Sequence, residues 1–249
     1  MEYQDLILVC SAAFFAGGLN SLAGGGSFIT LPALLFTGIP PVLANTSSAA
    51  VLLPGYFGSL LGFRKTFRSV SIKSLIPLLV VTLSFSVIGA IFLINSSDEF
   101  FLRFIPWLIL IATLLFIFNP SLESKSQNLQ ASNLQKVGVS FVAAYGGYFN
   151  GGLGIALLSV LSLGKNLSLK QMSAVKSLLS FLITAVSVTI FIIFDFVVWS
   201  YVFYMVLFSV VGGFFGAKLT ESLPTIIVRR FIILIGVILS GSIFYINSI

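Results

Sequence analysis

Two short stretches hold the residues with the most chemistry to offer. The first is Ala23-Gly24-Gly25-Gly26-Ser27-Phe28-Ile29-Thr30-Leu31-Pro32, continuing through Thr37-Gly38-Ile39-Pro40-Pro41 to Ala44-Asn45-Thr46-Ser47-Ser48. The second is Tyr145-Gly146-Gly147-Tyr148-Phe149-Asn150-Gly151-Gly152-Leu153-Gly154. Both interrupt apolar sequence. Consecutive glycines loosen the backbone, and each proline removes an amide donor. In hydrocarbon every backbone polar group needs a partner, so such a break belongs where protein or a watery cavity receives it. Freed amides at a helix start, with small hydroxyls beside them, suit an anion. The candidates for such a site are Gly24, Gly25, Gly26, Asn45, Thr46, Ser47, Asn150, Gly151, Gly152 and Lys176. The plain alternatives are close packing at a kink for the glycines and ordinary N-capping for Asn45 to Ser48. Asn20 and Asn150, near the two breaks, either line the site or satisfy the broken backbone.

Other chemistries lack raw material. The chain has one cysteine, Cys10, and no histidine. Disulfide frameworks, haem ligation by His and His/Cys metal sites are therefore excluded or nearly so, and no cofactor or metal is expected. No Asp or Glu falls inside an apolar segment, which removes the usual carboxylate relay of proton-driven transporters. Ser and Thr are plentiful but no base accompanies them, so the chain does not read as an enzyme. Lys176 is the exception to the uncharged interior of these segments. An ionisable residue there is a functional hypothesis by default. It either pairs with an anionic substrate or snorkels along its own helix to the surface.

Long apolar elements must hold these residues. Of 249 residues, 58% are hydrophobic and 8% charged, too apolar for a soluble core. The segments are Leu6–Ala23 with a continuation Ser27–Gly38, Ala44–Phe63, Ile72–Ile94, Phe101–Phe118, Val137–Phe149 with a continuation Ile155–Gly164, Leu169–Phe194, Val197–Ala217 and Thr225–Ile246. The acidic start reads as mature structure rather than a signal peptide. Trp107, Trp199 and Tyr201 read as interface anchors, and Arg103 and Arg230 as headgroup residues. Gly58 with Gly62, and Gly212 with Gly216, stand at helix-packing spacing. The net charge of +6 sits in short loops, which points to the positive-inside rule and not to nucleic acid.

The two halves resemble each other. Phe85-Ser86-Val87-Ile88-Gly89-Ala90 recurs as Phe208-Ser209-Val210-Val211-Gly212-Gly213, and Arg103-Phe104-Ile105 as Arg230-Phe231-Ile232. Gly25-Gly26 matches Gly151-Gly152, and Gly38 matches Gly164. The reading is one transporter domain over 1–249: repeat 1 over about 5–118, a polar linker over about 119–136, and repeat 2 over about 137–249. Two Gly-interrupted segments in matching places point to a transporter's binding site.

Those motifs resemble the TauE/SafE sulfite exporter family over nearly the whole chain. The resemblance implies an inner-membrane permease for anionic sulfur compounds or related organic acids. One departure stands out: where the first half has Asn45-Thr46, the second has Ala174-Val175-Lys176.

Topology follows from charge. If every segment crossed once, the halves would be parallel and the loop with Lys218, Arg229 and Arg230 would lie outside, against the positive-inside rule. If each Gly-interrupted segment is a hairpin, Asp98, Glu99 and Asp195 fall outside, while Lys125, Lys165, Lys170, Lys218, Arg229 and Arg230 fall inside. The preferred architecture is therefore an all-α polytopic membrane protein of two inverted repeats, each a Gly-interrupted hairpin followed by three transmembrane helices. It sits multi-pass in the bilayer of the inner membrane, with a small anionic substrate and scope for a homo-oligomer. The alternatives are a passive anion channel and a membrane-embedded enzyme.

Overall fold

The structure is a computed structural model that describes residues 3–22, 25–63, 66, 70, 72–118, 133–161 and 169–220, with 230, 234, 237, 238 and 241 beyond them. Gly24, most of the polar linker, the basic positions Arg64, Lys65, Arg68, Lys125, Lys165 and Arg229, and nearly all of the expected segment Thr225–Ile246 lie outside the described residues. Within them are nine helices: α1 (Tyr3–Leu22), α2 (Ser27–Phe36), α3 (Pro41–Gly62), α4 (Ile72–Ile94), α5 (Asp98–Phe118), α6 (Asn133–Tyr148), α7 (Leu153–Leu161), α8 (Leu169–Ile193) and α9 (Trp199–Thr220). No strand interrupts them among the described residues. Helix α6 begins four residues earlier than the sequence implied, inside the expected linker.

The glycine clusters divide the chain where expected. Helix α1 stops at Leu22 and α2 starts at Ser27; α6 stops at Tyr148 and α7 starts at Leu153. With 10 and 9 residues, α2 and α7 rise only about 15 Å. Helix α7 turns back along α6. The Gln135 Nε2 at the start of α6 donates to the Leu161 carbonyl at the end of α7, at 3.2 Å, and Gly138 faces Val160. The second Gly-interrupted segment is thus a hairpin that closes on its starting end. Helix α2 likewise packs on α1. Gly152, at φ 71°, makes the turn between α6 and α7 in a region that costs other residues most.

The helices pack in matched pairs. The most extensive contacts are α1 with α9 and α4 with α6. Glycines let these backbones meet: a Cβ on Gly17 or Gly212 would collide with the Ser209 or Phe14 carbonyl, and one on Gly89 or Gly147 with the Ala144 or Ser86 carbonyl. Close backbone approach at small residues is the usual way for helices to associate in lipid. Gly58 does not act this way, because nothing lies within 4 Å of a Cβ placed there. Helices α3 and α8 run antiparallel through the middle: Ser59 meets Ser177, and the Phe57 and Phe181 rings lie 5.8 Å apart. At the opposite end, Thr46 and Ser47 of α3 meet the 196–198 segment that follows α8.

Large apolar side chains cover much of the outside: Phe15, Ile88, Phe92, Trp107, Phe203, Leu207 and Phe214 are exposed. The interior is mainly apolar but also holds polar side chains, among them Asn20, Asn45, Asn150, Lys176, Ser180 and Thr184. Helices over Leu75–Ile94 and Gln171–Ile193 are long and apolar enough to cross a membrane.

Candidate functional site

The two breaks meet at the centre. Phe28, the second residue of α2, touches Gly151 just before α7, so a Cβ on Gly151 would lie 3.1 Å from the Phe28 ring. The N-terminal ends of both half helices therefore converge. Each end carries part of the positive pole of its helix dipole. The first backbone bonds of α2 run from Phe28 N to the Gly25 carbonyl (3.1 Å) and from Ile29 N to the Gly26 carbonyl (3.0 Å); those of α7 run from Ile155 N and Ala156 N to the Gly152 carbonyl. Gly25, Gly26, Gly151 and Gly152 are all buried at this junction. Gly26 packs under the Ala16 carbonyl and the Asn20 Cβ, so neither contact survives a larger residue there. The Tyr145 hydroxyl donates to the Gly151 carbonyl at 2.5 Å and holds the second break in place.

Asn20 lies in the last turn of α1, and Asn150 stands directly before Gly151, where it meets Tyr56 of α3. The Tyr56 hydroxyl donates to Asn150 Oδ1 at 3.1 Å, and Asn150 Nδ2 donates to Thr184 Oγ1 of α8 at 2.9 Å. Asn150 is thus bonded at both ends of its amide. Asn20 is not: its Oδ1, buried, meets no hydrogen-bond partner among the described residues. The same holds for Ser27 Oγ at the start of α2 and Ser180 Oγ on α8.

Helices α3 and α8 each turn one polar face to this seam. On α8 the buried residues Lys176, Ser177, Ser180, Thr184 and Ser187 recur at helical spacing; on α3 they are Asn45, Ser48 and Tyr56, with the half-buried Ser59 beyond them. Lys176 is only 8% exposed and has no ion pair or hydrogen bond among the described residues. It lies eight residues before Thr184, about 12 Å along α8 from the junction.

The four polar residues after Pro40-Pro41 are placed differently from the expectation. Helix α3 begins at Pro41, so Asn45 to Ser48 stand one turn inside it rather than at its open end. The open end is already occupied: Val42 N donates to Asp98 Oδ1 at 2.8 Å. Asn45 Nδ2 donates to the Tyr148 carbonyl at 2.9 Å, closing the last turn of α6, while its Oδ1 lacks a partner among the described residues. The Thr46 hydroxyl donates to the Phe196 carbonyl, and Ser47 Oγ accepts from Val198 N at 2.9 Å. Ser48 pairs with Thr30 of α2 at 2.6 Å. These residues tie α3 to α2, α6 and the 196–198 segment.

The structure thus brings Gly25, Gly26, Asn150, Gly151 and Gly152 together, with Asn45 reaching them through α6. It sets Thr46 and Ser47 toward one end of the seam and Lys176 toward the other. Gly24 lies outside the described residues. The sequence reading gave no role to Tyr56, Thr184 or Ser27. For Thr184 the signal was present, since Lys176, Ser180, Thr184 and Ser187 repeat on one helical face. Tyr56 carried no such signal, because its partners come from segments distant in sequence.

Comparison with known proteins adds a lineage. A family model described as Sulfite exporter TauE/SafE matches residues 9–243. The chain is 28% identical over 243 residues to a probable membrane transporter protein of Haemophilus influenzae, covering 96% of this chain and 94% of that one. It is 26% identical over 246 residues to a probable membrane transporter protein of a Sinorhizobium species, covering 96% and 92%. A probable membrane transporter protein of Escherichia coli is 25% identical over 238 residues, covering 94% and 87%. No solved structure matches the chain.

Proposed function

The chain belongs to the sulfite exporter TauE/SafE family, a family of membrane transporters, and on that footing we propose that it is a multi-pass inner-membrane permease for small anions, sulfur oxyanions, sulfonates or related short organic acids. The observation that carries this reading is the contact between Phe28 and Gly151, where the positive ends of two half helices converge at a buried junction beside the Phe28 and Phe149 rings. Half-helix N-termini aimed at a midplane are a recurrent way to hold an anionic group. Asn150, Tyr56 and Thr184 supply neutral polar groups around it, and Lys176 supplies a positive charge at one approach.

Transport proceeds by alternating access between two inverted repeats. The paired contacts support this: α1 on α9 is mirrored by α4 on α6, and α3 on α9 by α4 on α8. Under this symmetry Thr46 and Lys176 are equivalent positions on opposite sides of the junction. At the Thr46 end the path is tied shut by the bonds to Phe196, Val198 and Asp98. A permanently open pore has no use for such ties, so the permease reading is favoured over a channel.

The test is a binding screen of the purified protein against sulfite, sulfonates and short carboxylates, followed by flux in proteoliposomes. We expect one of these anions to raise the unfolding temperature saturably and its uptake to saturate. Stabilisation by none of them, or flux that rises linearly with concentration, overturns the reading.

A further inference from the structure

The junction is not symmetric in its oxygens, and the difference falls at the first break. Asn150 spends both ends of its amide on Tyr56 and Thr184. Tyr56 has one proton and gives it to Asn150 Oδ1. Asn20 differs: its Oδ1 is buried, in a residue only 7% exposed, and has no partner among the described residues, and the same is true of Ser27 Oγ, in a residue 2% exposed. The two residues adjoin: a Cβ on Gly26, the residue before Ser27, would lie 3.2 Å from the Asn20 Cβ. The second half has no hydroxyl here, since by the glycine register Leu153 stands where Ser27 does.

We propose that these oxygens, with carbonyls at the C-terminal end of α1, form a site for one sodium ion that accompanies the anion. An amide oxygen can only accept, and so can a helix's last carbonyls. A cluster of acceptors calls for a cation. The C-terminal end of α1 is the negative pole of its dipole, which favours positive charge. Neutral oxygens fit a monovalent ion, because calcium and magnesium sites draw on carboxylates and none is near. Freed carbonyls at a helix break coordinate the coupling cation in other transporters, while half-helix N-termini face the anion. Here the α1 end and the α2 and α7 starts lie on the same junction, so the two ions attract across a short, water-poor gap.

The site rests on the transport reading for its purpose, coupling, but its occupancy can be tested without flux. The probe is the purified full chain, unfolded thermally in sodium chloride, potassium chloride or choline chloride at matched ionic strength. Sodium should raise the unfolding temperature saturably and potassium and choline should not. Ser27→Ala and Asn20→Ala should need about tenfold more sodium for the same shift, while unfolding in choline close to the wild-type temperature. Should Asn20→Ala fail to fold, Asn20→Asp keeps the oxygen and adds charge, so it should respond to sodium at lower concentration. Equal stabilisation by all three cations, or an unchanged sodium response in Ser27→Ala and in Asn20→Asp, overturns the site. Stabilisation by an anion in choline with no response to sodium leaves the permease reading standing and removes the sodium site. A sodium response without any anion response supports the sodium site and removes the permease reading.

Discussion

Thr46 and Lys176 stand on the two polar helices, α3 and α8, in different surroundings. Thr46 is neutral and bonded to the Phe196 carbonyl; Lys176 is charged, 8% exposed and without a partner among the described residues. A buried ammonium without a counter-ion is costly, so it must meet water, carbonyls or a ligand anion. Lys176→Met is therefore expected to weaken apparent anion affinity by about tenfold or more, roughly 1.4 kcal/mol. Lys176→Arg should keep part of it, because the charge stays while its shape changes. Uptake kinetics normalised to membrane protein check both. Unchanged affinity in Lys176→Met would mean that the side chain serves only to reach the surface.

At the level of elements, glycine has two separate uses that sequence spacing does not distinguish. Gly17, Gly89, Gly147 and Gly212 let neighbouring helices touch backbone to backbone. Gly25, Gly26, Gly151 and Gly152 make the breaks. Gly58 does neither, and its face is open. Gly147→Ala is expected to destabilise by about 1–3 kcal/mol, because its new Cβ meets the rigid Ser86 carbonyl. Gly58→Ala should instead stabilise by roughly 0.5–1 kcal/mol, since Ala loses less entropy in a helix. Thermal unfolding in detergent separates the two, and equal losses would refute the assignment of packing to Gly147.

For the whole molecule, the hairpin closed by Gln135 and Leu161 sets the direction of every later helix. Helices that begin beside one another confirm a shared end: the start of α3 meets Asp98 at the start of α5, and Thr46 and Ser47 meet the segment leading into α9. The positive-inside rule predicts that this acidic end, with Asp98, Glu99 and Asp195, faces outward. The proposed inverted arrangement then predicts both chain termini on the outside as well. Impermeant thiol reagents applied to intact cells, with single cysteines at either terminus in a Cys10→Ala background, should label both. A protected carboxyl terminus would sink the inverted arrangement.

The sequence by itself determined the helical class, the places where helices break, the absence of histidine chemistry and the family. Each of these is a local property: apolar run length, a glycine cluster, residue types in order. It also exposed Lys176, because a charge inside an apolar run is conspicuous. What tertiary structure decided is which broken ends meet and which polar groups are already spent. Asn45, Thr46 and Ser47 read as free donors in the chain, yet their partners at Tyr148, Phe196 and Val198 lie more than a hundred residues away. Tyr56 meets Asn150 from a third helix, and the buried oxygens of Asn20 and Ser27 are left without a partner among the described residues. No spacing rule reaches such pairs, because hydrogen bonds between distant segments depend on how helices cross and not on the order of residues within them.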